Sequence, residues 1–559
     1  MELGIRVAFA GHNRAEDIGG IDQATRVLHA GFACLREAGV QTGVLLTGLA
    51  DGADLLAVGE WRKLGLGAVH GVMPHLEDSL PADPALQPDR ITWLDGASVE
   101  RAGRSPHALQ TRWLLEDADI LLVYWNGEIA RGPGGTADAV WSALQRGVPV
   151  LWVEPKEPSE PRLIFGEALE ENCGYLELLD RLSFGDPTLM ELATRERVAA
   201  LLGSLALAAP KLPSSDDQGL PLLDRVLERT VFRTFSLYRR LVGGGRPPAP
   251  HLAAPPPELQ QQPGFQILTQ AYEAADIQAN RLAAIHRSQQ VFQAAVMILA
   301  AAIGSAPAIW PGIKIYCVLT ELALAYVTFQ VWSVAVKSEQ GRRWGEARRV
   351  AEQLRLERAS WALGLSTRLD GRGASSTSPA RSAWCWRRKA QSPDGRFDAA
   401  RVQAWGRWAL ASLIEAEREY HHVQGRLNAR LSHRAHAFET KVFWLFIGLL
   451  VSFAVLFGLA RLLDFELPHW FGGLVLVAGA VTPAFGAASL ALDSSLALSD
   501  QARRSANMEA SLSALAERAK SADRLDLFQS IGREALVLQI QQEDRWSEEA
   551  AHRQVLRAG

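Results

Sequence analysis

The segment ADILLVYWNGEIARGPGGTADAV, residues 118–140, joins an apolar run to a glycine-rich loop and then to the beginning of a helical pattern. Glycine lets a backbone come close to a phosphate and adopt positive φ. The free N–H groups at the start of a following helix then favour an anion. The segment therefore predicts a strand, a phosphate-binding loop and a helix, with Thr136 as the cap of that helix. A purely structural turn is the alternative interpretation.

Four further apolar runs alternate with helical patterns in the first 185 residues: IRVAFAG, VLLTG, GAVHGVMP and PVLWVEP. Strands that alternate with helices form a parallel sheet covered on both faces. We therefore predict an α/β Rossmann-like domain over residues 1–185. In such sheets ligands bind beyond the carboxyl ends of the strands.

Polar, glycine-bearing segments fall at three predicted strand ends: GHNR (11–14), TGLADGADLLA (47–57) and the loop after residue 125. The candidate ligand-binding residues in these segments are Gly11, His12, Arg14, Gly48, Asp51, Gly52, Asp54, Asn126, Gly127, Arg131, Gly132, Gly134, Gly135, Thr136 and Asp138. His12 and Arg14 are placed to meet a phosphate or a ribose hydroxyl, and Arg131 to pair with a phosphate. Ordinary turn chemistry is the alternative for all three. Asp51 and Asp54 are candidates for sugar hydroxyls, although Asp51 is more typical of a helix cap.

The bulk composition argues against several kinds of site. The formal net charge of −4 over 559 residues gives no electrostatic case for nucleic-acid binding. The cysteines are far apart and form no CxxC or Cys/His cluster, which favours a reducing compartment and argues against structural zinc. The first residues, MELGIRVAFAGHNR, are typical of a strand rather than of a signal peptide. No Ser/His/Asp or Cys/His arrangement can be singled out either, and we expect no catalytic residue, no metal and no resident cofactor.

Residues 186–265 are rich in proline, glycine and other turn residues, as in SSDDQG and GGGRPPAPHLAAPPPELQQQPG. Such a composition buries too little apolar surface to fold alone and is typical of linkers. We predict a linker in this region, with one helix-like interlude, LLDRVLERTVFRTFSLYRRL.

Beyond residue 265 the chain contains four long apolar runs. Residues 288–313, 442–460 and 470–492 carry no charged side chain, and residues 315–336 carry only Glu321. A helix needs about 20 mainly apolar residues to cross a hydrocarbon core of about 30 Å. We therefore predict an all-α membrane domain with four transmembrane helices in two hairpins. Burial inside a large soluble domain is the alternative.

The distribution of positive charge predicts the orientation. Lysine and arginine are abundant in residues 337–441, between the hairpins, and after residue 493. By the positive-inside rule both regions lie in the cytoplasm, and an even number of spans places the N-terminal domain there as well. Trp310 and Trp470 lie in the two short turns, where interfacial aromatic side chains are common. We therefore expect a multi-pass protein of the inner (cytoplasmic) membrane.

A short sequence feature shared by the two hairpins indicates a duplication. EQGRR (339–343) follows the first hairpin and DQARR (500–504) follows the second, and each opens a helical stretch. We therefore predict two helical units, residues 266–360 and residues 401–559. Five residues of similarity also arise by chance, which is the alternative.

Residues 361–400, between the two units, are basic and rich in glycine and serine, as in GRGASSTSPARSAWCWRRKAQSPDGRFD. This composition predicts a mobile loop. Within it, Trp384, Trp386, Arg387 and Arg388 are candidates for contact with anionic headgroups. A fully solvated loop is the alternative.

Two residues within the apolar runs are candidates for a membrane pathway. Glu321 is the one formal charge in the four spans, and an ionised carboxylate facing lipid costs at least about 2.5 kcal/mol. It is therefore expected to face other helices or a water-filled path, or to be protonated. An oligomer would gather one Glu321 per subunit into an acidic ring that favours cations, whereas a tilted helix would bring it to the headgroups. Pro483 is expected to let the fourth span bend.

The glycine loop and its surroundings resemble a known family. ADILLVYWNG, GPGGTADAV and GVPVLWV, with the DGAD loop after the second strand, resemble the SLOG superfamily of Rossmann-like domains over roughly the first 160 residues. That superfamily includes cytokinin-activating phosphoribohydrolases and nucleotide-sensing domains of bacterial conflict systems. The hairpins are similar in architecture to SLATT domains, the two-transmembrane effectors associated with SLOG domains. The resemblance implies a homo-oligomeric sensor of a nucleotide or ADP-ribose-like signal, coupled to a pore-forming or membrane-disrupting effector in antiphage defence.

The sequence departs from the enzymes of that superfamily in one motif. The phosphoribohydrolases carry PGGxGTxxE, in which the final Glu acts on the glycosidic bond, whereas this chain has Ala139 and Val140 at the corresponding place. Asp138 is the nearest carboxylate, and a displacement of one residue turns it by about 100° around the helix. The loop is therefore expected to hold a nucleotide without cleaving it. Two alternatives stay open: a membrane-tethered nucleotide- or NAD-cleaving enzyme that uses Asp138 or Glu128, and a housekeeping ligand-gated cation channel.

Overall fold

The apolar runs of the N-terminal part form a nine-stranded sheet in the computed structural model. The structure describes residues 2–12, 20–155, 160–166, 173–205, 207–208, 222–231, 233–241, 253–368, 379–463 and 468–558. The strands are β1 (Ile5–Gly11), β2 (Gly43–Thr47), β3 (Gly67–Met73), β4 (Arg90–Trp93), β5 (Ile120–Tyr124), β6 (Val150–Val153), β7 (Arg162–Ile164), β8 (Met190–Leu192) and β9 (Gly395–Arg396). Their order across the sheet is β9-β4-β3-β2-β1-β5-β6-β7-β8.

The sheet is largely parallel, as the alternation of strands and helices predicts. All neighbouring strands from β9 across to β6 pair in parallel, whereas β7 pairs antiparallel with both β6 and β8. The predicted strands correspond to β1, β2, β3, β5 and β6, so the Rossmann-like α/β fold is confirmed. The other strands contain two to four residues. Runs of two or three residues are too short to be recognised in the sequence, and β4, Arg90–Trp93, lacks the continuous apolar run that identifies β6.

Helices cover both faces of the sheet. They are α1 (Ile21–Glu37), α2 (Ala53–Lys63), α3 (Gly96–Arg101), α4 (Pro106–Glu116), α5 (Thr136–Gln145), α6 (Tyr175–Ser183) and α7 (Arg195–Leu205). Along β1, Val7 and Phe9 face a core formed with α1, α2 and α7, whereas Ala8 faces a second core that includes α4 and α5. This alternation is the period of two that a pleated strand imposes. Because β8 and α7 pack with the sheet, the α/β domain extends beyond residue 185, where the sequence predicts a linker.

The C-terminal half is helical, as predicted. Its helices are α8 (Leu222–Val231), α9 (Thr234–Leu241), α10 (Pro257–Gln261), α11 (Pro263–Ser305), α12 (Lys314–Lys337), α13 (Gln340–Trp361), α14 (Pro379–Ala390), α15 (Ala399–Leu410), α16 (Ala416–Leu463), α17 (His469–Leu496), α18 (Leu498–Ala519) and α19 (Leu525–Ala558). A π-helical turn, Ala411–Glu415, joins α15 to α16. The predicted linker therefore contains helices, while its residues 209–221 and 242–252 lie outside the described part of the chain.

Among the described residues, four helices are long and apolar enough to cross a membrane: α11, α12, α16 and α17. The prediction of four spans is confirmed by their length and composition. α11 packs against α12 and α16 packs against α17, so the spans form two hairpins, and α11 contacts α17 between the hairpins. Apolar side chains of α12 point away from the protein, with Leu322 69% and Tyr326 64% exposed. A helix that is apolar on its outer face suits a lipid environment.

The two candidate pathway residues differ in their surroundings, since Glu321 is half-buried and Pro483 is exposed. The carboxylate of Glu321 lies against Gly304 of α11, so close that a Cβ on the glycine would overlap it. Glu321 is therefore turned toward the other helix of its own hairpin, where an ionisable side chain of an apolar span is shielded from lipid. Pro483 lies inside α17, which continues on both sides of it.

The two units share a backbone geometry that supports the predicted duplication. After each hairpin one non-glycine residue takes a left-handed conformation, Glu339 with φ of 48° and Ala497 with φ of 50°. Such residues are uncommon. A helix of 22 residues follows in each unit, α13 in the first and α18 in the second. α13 packs along α11, and α18 packs along α16, so the same arrangement occurs twice.

Residues 361–400 do not form the loop that their composition predicts, apart from residues 369–378, which lie outside the described residues. α14 packs against α11 and α13. β9 joins the edge of the sheet in parallel with β4, and the N–H of Phe397 donates to the carbonyl of Trp93 at 2.8 Å. The region thus connects the helical half of the chain to the α/β domain.

The aromatic and basic side chains of α14 face protein rather than headgroups or solvent. Trp386, Arg387 and Arg388 are buried, and Trp384 is half-buried. Their partners include the segment Glu116–Asp119, between α4 and β5, which we call the acidic junction. The prediction of a solvated or lipid-bound loop was wrong because the carboxylates that neutralise these arginines are remote in the sequence.

The acidic junction contains buried carboxylates that bond to arginines from both halves of the chain. Asp117 accepts a hydrogen bond from Nε of Arg387 at 3.0 Å and lies 3.1 Å from a terminal nitrogen of Arg6. Asp119 accepts the backbone N–H of Arg6 at 2.8 Å and pairs with Arg388 at 3.1 Å. Each carboxylate therefore joins β1 to α14.

Glu116, the first residue of the junction, joins three parts of the chain. It pairs with Arg146 at 2.9 Å and with Arg533 of α19, and it accepts the N–H of Ser366 at 2.9 Å. Burial raises the pKa of Glu116, but the guanidinium groups of Arg533 and Arg146 outweigh this effect and lower the pKa to about 2. Glu116 is therefore ionised at neutral pH. A buried ion is tolerated only when it is paired, so the junction holds the two halves together.

Replacing Arg387 by Gln should weaken the docking of the two halves. The change leaves Asp117 with Arg6 alone, and removal of one partner from a buried ion pair costs about 3–5 kcal/mol. We expect a lower melting temperature for the full-length protein in detergent. Arg342→Gln is the matched control, because Arg342 is exposed and pairs with Glu339 at the surface, where such pairs contribute less than about 1 kcal/mol. Equal melting temperatures for the two variants would contradict the role of the junction.

Candidate ligand-binding site at the reversal of strand order

The strand order of the sheet reverses at β1, which has β2 on one side and β5 on the other. In doubly wound sheets ligands bind in the crevice beyond the carboxyl ends of the strands at this point. A cavity of about 430 Å³, which we call the switch-point cavity, lies there. The predicted residues that line it are Gly11, His12, Gly48, Asp54, Asn126, Arg131, Gly132, Gly134, Gly135 and Thr136. The structure thus brings together residues from all three predicted segments.

The end of β1 connects the cavity to β5 and α2. The ring nitrogen Nε2 of His12 accepts the N–H of Asn126 at 3.1 Å, and the carbonyl of His12 accepts the N–H of Ala53 at 3.1 Å. A Cβ on Gly11 would lie 2.6 Å from the Cβ of Ala53. Glycine is therefore required at this position for the close approach of α2. Arg14 lies outside the described residues.

Asp54 is a buried carboxylate in the wall of the cavity. It is 7% exposed and accepts a hydrogen bond from Oγ1 of Thr47 at 3.0 Å. Burial raises the pKa of Asp54 to about 6, although a hydrogen bond from Thr47 and two backbone hydrogen bonds oppose the shift. Perturbed pKa values of this kind are frequent in functional sites. Gly48 lies beside Asp54, where a Cβ would approach Nε2 of Gln110 to 2.8 Å.

The first part of the glycine-rich loop takes its shape from local hydrogen bonds. The side-chain oxygen of Asn126 accepts the N–H of Glu128 at 3.1 Å, and the indole N–H of Trp125 donates to the carbonyl of Glu128 at 2.8 Å. Gly127, with φ of 81°, allows the turn between them but does not line the cavity. Arg131 lines the cavity and is exposed. The loop therefore places Arg131 at the edge of the cavity, on a backbone that is held by hydrogen bonds of Trp125 and Asn126.

Three glycines of the loop differ in what surrounds them. Gly134 has φ of 89°, and a Cβ there would overlap the backbone of Ala108 in α4. Gly135 is the N-cap of α5, and its Cβ would lie 3.1 Å from that of Ala130. Gly132 has open space, since a Cβ there would meet nothing within 4 Å. Gly134 is thus required for packing, whereas Gly132 leaves room for a ligand.

The start of α5 differs from the sequence prediction. Gly135 is the N-cap, and Thr136 is the first helical residue rather than the cap. The loop is tied to the helix by Asp138 instead, whose carboxylate accepts the N–H of Gly134 at 2.9 Å. The contact of Gly134 with α4 fixes the loop so that Thr136 already lies in the helix. Asp138 does not line the cavity, and its side chain holds the loop.

The residues Asp51 and Gly52 lie at the start of α2, outside the lining of the cavity. Gly52 is the N-cap, with φ of 91°, and no side chain caps this helix. The prediction that Asp51 is the cap was wrong, because the backbone turns into α2 through a positive φ that favours glycine. Asp51 is exposed.

α4 contributes residues to the cavity that the sequence analysis missed: His107, Gln110 and Thr111. Gln110 donates from Nε2 to the carbonyl of Val72 at 2.6 Å, which fixes its side chain beside Asp54. The sequence RSPHALQ carries the signal for the start of a helix, Ser105 followed by Pro106. It carries no signal for the face of that helix that meets the glycine loop.

The cavity combines groups for an anion with groups for hydroxyls and an apolar surface. Backbone N–H groups at the start of α5, together with Arg131, favour a phosphate. Asp54 is an acceptor for hydroxyl groups, and Ile129 adds exposed apolar surface. Within the described part of the chain, no group of three His, Cys, Asp or Glu side chains could hold a metal ion. The arrangement suits an anionic ligand that carries hydroxyl groups and a flat apolar part.

Replacing Gly132 by Val should close the cavity to a ligand and leave the fold intact, because the added side chain meets no protein atom. We expect calorimetric titration with nucleoside phosphates to show a loss of affinity of about tenfold or more, at an unchanged melting temperature. Gly134→Val should lower the melting temperature, because it overlaps Ala108 and strains a positive φ. Gly203→Val, on the exposed face of α7, is the control. Wild-type affinity in Gly132→Val would place the ligand elsewhere.

Asp54 should make the stability of the α/β domain depend on pH. Because burial raises its pKa from the ordinary value of 3.8 to about 6, the stability that this group contributes is complete below pH 4 and is lost as the pH rises through 6. The loss is on the order of 2–3 kcal/mol. Asp54→Asn removes this dependence. The melting temperature of the variant minus that of the wild type should therefore increase from pH 4 to pH 7, because only the wild type loses stability over this range. A constant difference over that range would contradict the ionisation of a buried Asp54.

Comparison with known proteins identifies no relative of this chain. No protein-family model, no curated protein and no solved structure matches it. The chemistry of the cavity is therefore inferred from the residues that line it. The fold that positions these residues is a Rossmann-like sheet joined to four helices that are able to cross a membrane.

Proposed function

We propose that this protein is a sensor of a nucleotide-derived signal that controls a membrane-embedded, pore-forming unit. The observation that carries the proposal is the position of α4. Its first half lines the switch-point cavity, and its last residue, Glu116, belongs to the acidic junction. A ligand in the cavity is therefore connected to the helical half of the chain by one rigid element.

The groups around the cavity indicate the class of ligand. The start of α5 and Arg131 suit a phosphate, Asp54 suits sugar hydroxyls, and the exposed side chain of Ile129 suits a base. The volume of about 430 Å³ falls within the range of small-ligand cavities, about 300–1,000 Å³. A nucleotide or an ADP-ribose-like molecule meets these requirements.

The contacts of α4 with the helical half support coupling between the cavity and the membrane helices. Trp113 lies against Gly364, just after the end of α13, and makes an edge contact with Phe397 at 4.9 Å between ring centroids. One turn further along, Glu116 accepts the N–H of Ser366. A shift of α4 on ligand binding would therefore move the end of α13. A ligand drives such a shift only through unequal affinity for the two arrangements.

The biological setting and the output are taken from the resemblance to SLOG and SLATT proteins. By that resemblance the signal is made during phage infection, and the active arrangement is an oligomer that permeabilises the inner membrane. The four apolar helices support an output in the bilayer. The buried junction supports a link between that output and the cavity.

Full-length protein reconstituted into liposomes tests the proposal. We expect one class of nucleoside phosphates or ADP-ribose derivatives to release an encapsulated dye, because the ligand shifts α4 toward the active arrangement. Gly132→Val should abolish the release, and Gly203→Val should respond like the wild type. Release that needs no nucleotide, or that persists in Gly132→Val, would show that the cavity does not control the membrane helices.

A nucleotide-cleaving enzyme is the second candidate, and one observation favours it. Asp54 and Glu128 both line the cavity, and Asp54 has a pKa near that of a general acid or base. Asp138 is less suited, because its carboxylate holds the N–H of Gly134. Analysis of the nucleotide after the liposome experiment separates the two functions. Intact nucleotide supports the sensor, whereas free base that accumulates with turnover and is abolished by Asp54→Asn supports the enzyme.

A further inference from the structure

A second polar cavity lies where the two helical units meet. It has a volume of about 330 Å³ and is lined by α11 and α13 of the first unit, by α16 and α18 of the second, and by α19. We call it the inter-unit cavity. It shares no lining residue with the switch-point cavity. The ionisable side chains of Arg and Glu that line it are Arg287, Arg348, Glu352, Arg355, Glu417, Arg504 and Glu543.

Two of these arginines are matched by carboxylates of the same cavity. Arg355 donates to Glu352 at 2.7 Å and pairs with Glu417 at 3.0 Å. Arg348 pairs with Glu352. The pair between Arg355 and Glu417 joins α13 to α16 and therefore stabilises the contact between the units, whereas the pairs with Glu352 lie within α13. The positive charges of these two guanidinium groups are therefore compensated by carboxylates of the cavity wall.

Arg287 differs from them in its surroundings. It is half-buried, and its guanidinium lies 5.6 Å from the ring centroid of Phe235. Among the described residues, the ionisable groups that act on it are the phenol of Tyr420 and the guanidinium groups of Arg348 and Arg239, with no carboxylate. A half-buried cation beside other cations is stabilised by an anion. The positive charge of Arg287 is therefore available to a ligand in the cavity.

The remaining polar groups of the cavity do not cancel this charge. One oxygen of Glu543 is buried without a hydrogen-bond partner, and burial together with the charge of Glu352 raises the pKa of Glu543 above its ordinary value. The four arginines that line the cavity also outnumber its three glutamates. In another part of the wall, Gln424 donates to Asn428 at 3.0 Å and Asn428 donates to Gln501 at 3.1 Å. The lining therefore offers amide groups around an excess of positive charge.

The inter-unit cavity lies next to the apolar spans. Arg287 is the last charged residue before the uncharged residues 288–313 of the first span. Trp344, near the start of α13, lines the cavity only seven residues after α12 ends at Lys337. A headgroup at the membrane surface is thus within reach. Basic pockets between transmembrane helices are sites of this kind for phosphate headgroups.

We propose that the inter-unit cavity is a binding site for a phosphate group, with Arg287 as its main charged contact. The phosphate belongs to an anionic phospholipid or to a soluble phosphate ester, since both present the same oxygens to a guanidinium. A phosphate bound there bridges helices of both units and holds them in one relative arrangement. The proposal does not depend on the occupant of the switch-point cavity.

Full-length protein in a non-ionic detergent tests for the site with inorganic phosphate as the probe. At constant ionic strength, set with chloride, phosphate should raise the melting temperature of the wild type. Arg287→Gln should weaken this apparent affinity about tenfold or more. Arg281→Gln is the matched control, because Arg281 lies on the same helix but pairs with Glu228 outside the cavity. Gln424→Leu removes a wall amide and should also weaken binding, which covers the case in which Arg287→Gln does not fold.

Nanodiscs of phosphatidylcholine with and without phosphatidylglycerol separate the two sources of phosphate. If the ligand is a lipid, native mass spectrometry should show phosphatidylglycerol retained by the wild type and by Arg281→Gln and lost from Arg287→Gln. If the ligand is soluble, inorganic phosphate binds while retention of phosphatidylglycerol is equal in all variants. Absence of any effect of phosphate, together with equal lipid retention, would overturn the proposal.

Discussion

Three carboxylates of the acidic junction are at most 3% exposed. Buried carboxylates need cationic partners, and this requirement determines how the two halves of the chain are joined. Arg6 and Arg146 of the α/β domain supply part of the positive charge that they require. The rest comes from α14 and α19 of the helical half. A buried carboxylate that lost these partners would cost several kcal/mol. The α/β domain therefore keeps this arrangement only with the helical half docked against it.

Because Glu116 is the last residue of α4, this requirement also places α4 in contact with both halves of the chain. One side of it meets the glycine loop, while Trp113 and Glu116 are enclosed by the helical half. Close-packed interiors do not absorb a displacement locally. A ligand that moved α4 would therefore exchange whole ion pairs and ring contacts rather than stretch them. Interfaces of this kind have discrete arrangements, which is what a switch requires.

Long regular patterns made most of the fold predictable. Five strands and four spans each carry their own signal, an apolar run of characteristic length. α14 gives no such signal, because Arg387 meets Asp117 across 270 residues of sequence.

In the candidate site, the sequence identified the glycines but not the role of each one. Gly11 and Gly134 allow helices to approach, whereas Gly132 faces open space, and only the packed structure distinguishes these roles. The contribution of α4 was missed for the same reason.

The geometry of the helical units suggests how one ligand could act on both hairpins. α13 has 22 residues, which corresponds to about 33 Å of helix. It begins at the turn at Glu339, directly after the first hairpin, and ends a few residues before Ser366, which contacts Glu116 of the acidic junction. In the second unit, α18 begins at the corresponding turn, Ala497, and leads into α19, where Arg533 meets Glu116. In each unit, the helices that follow the hairpin thus lead to the same acidic junction. Because both paths meet Glu116 or its neighbour Trp113, a displacement there would reach the two hairpins together. The units would then move relative to each other, across the inter-unit cavity that separates them.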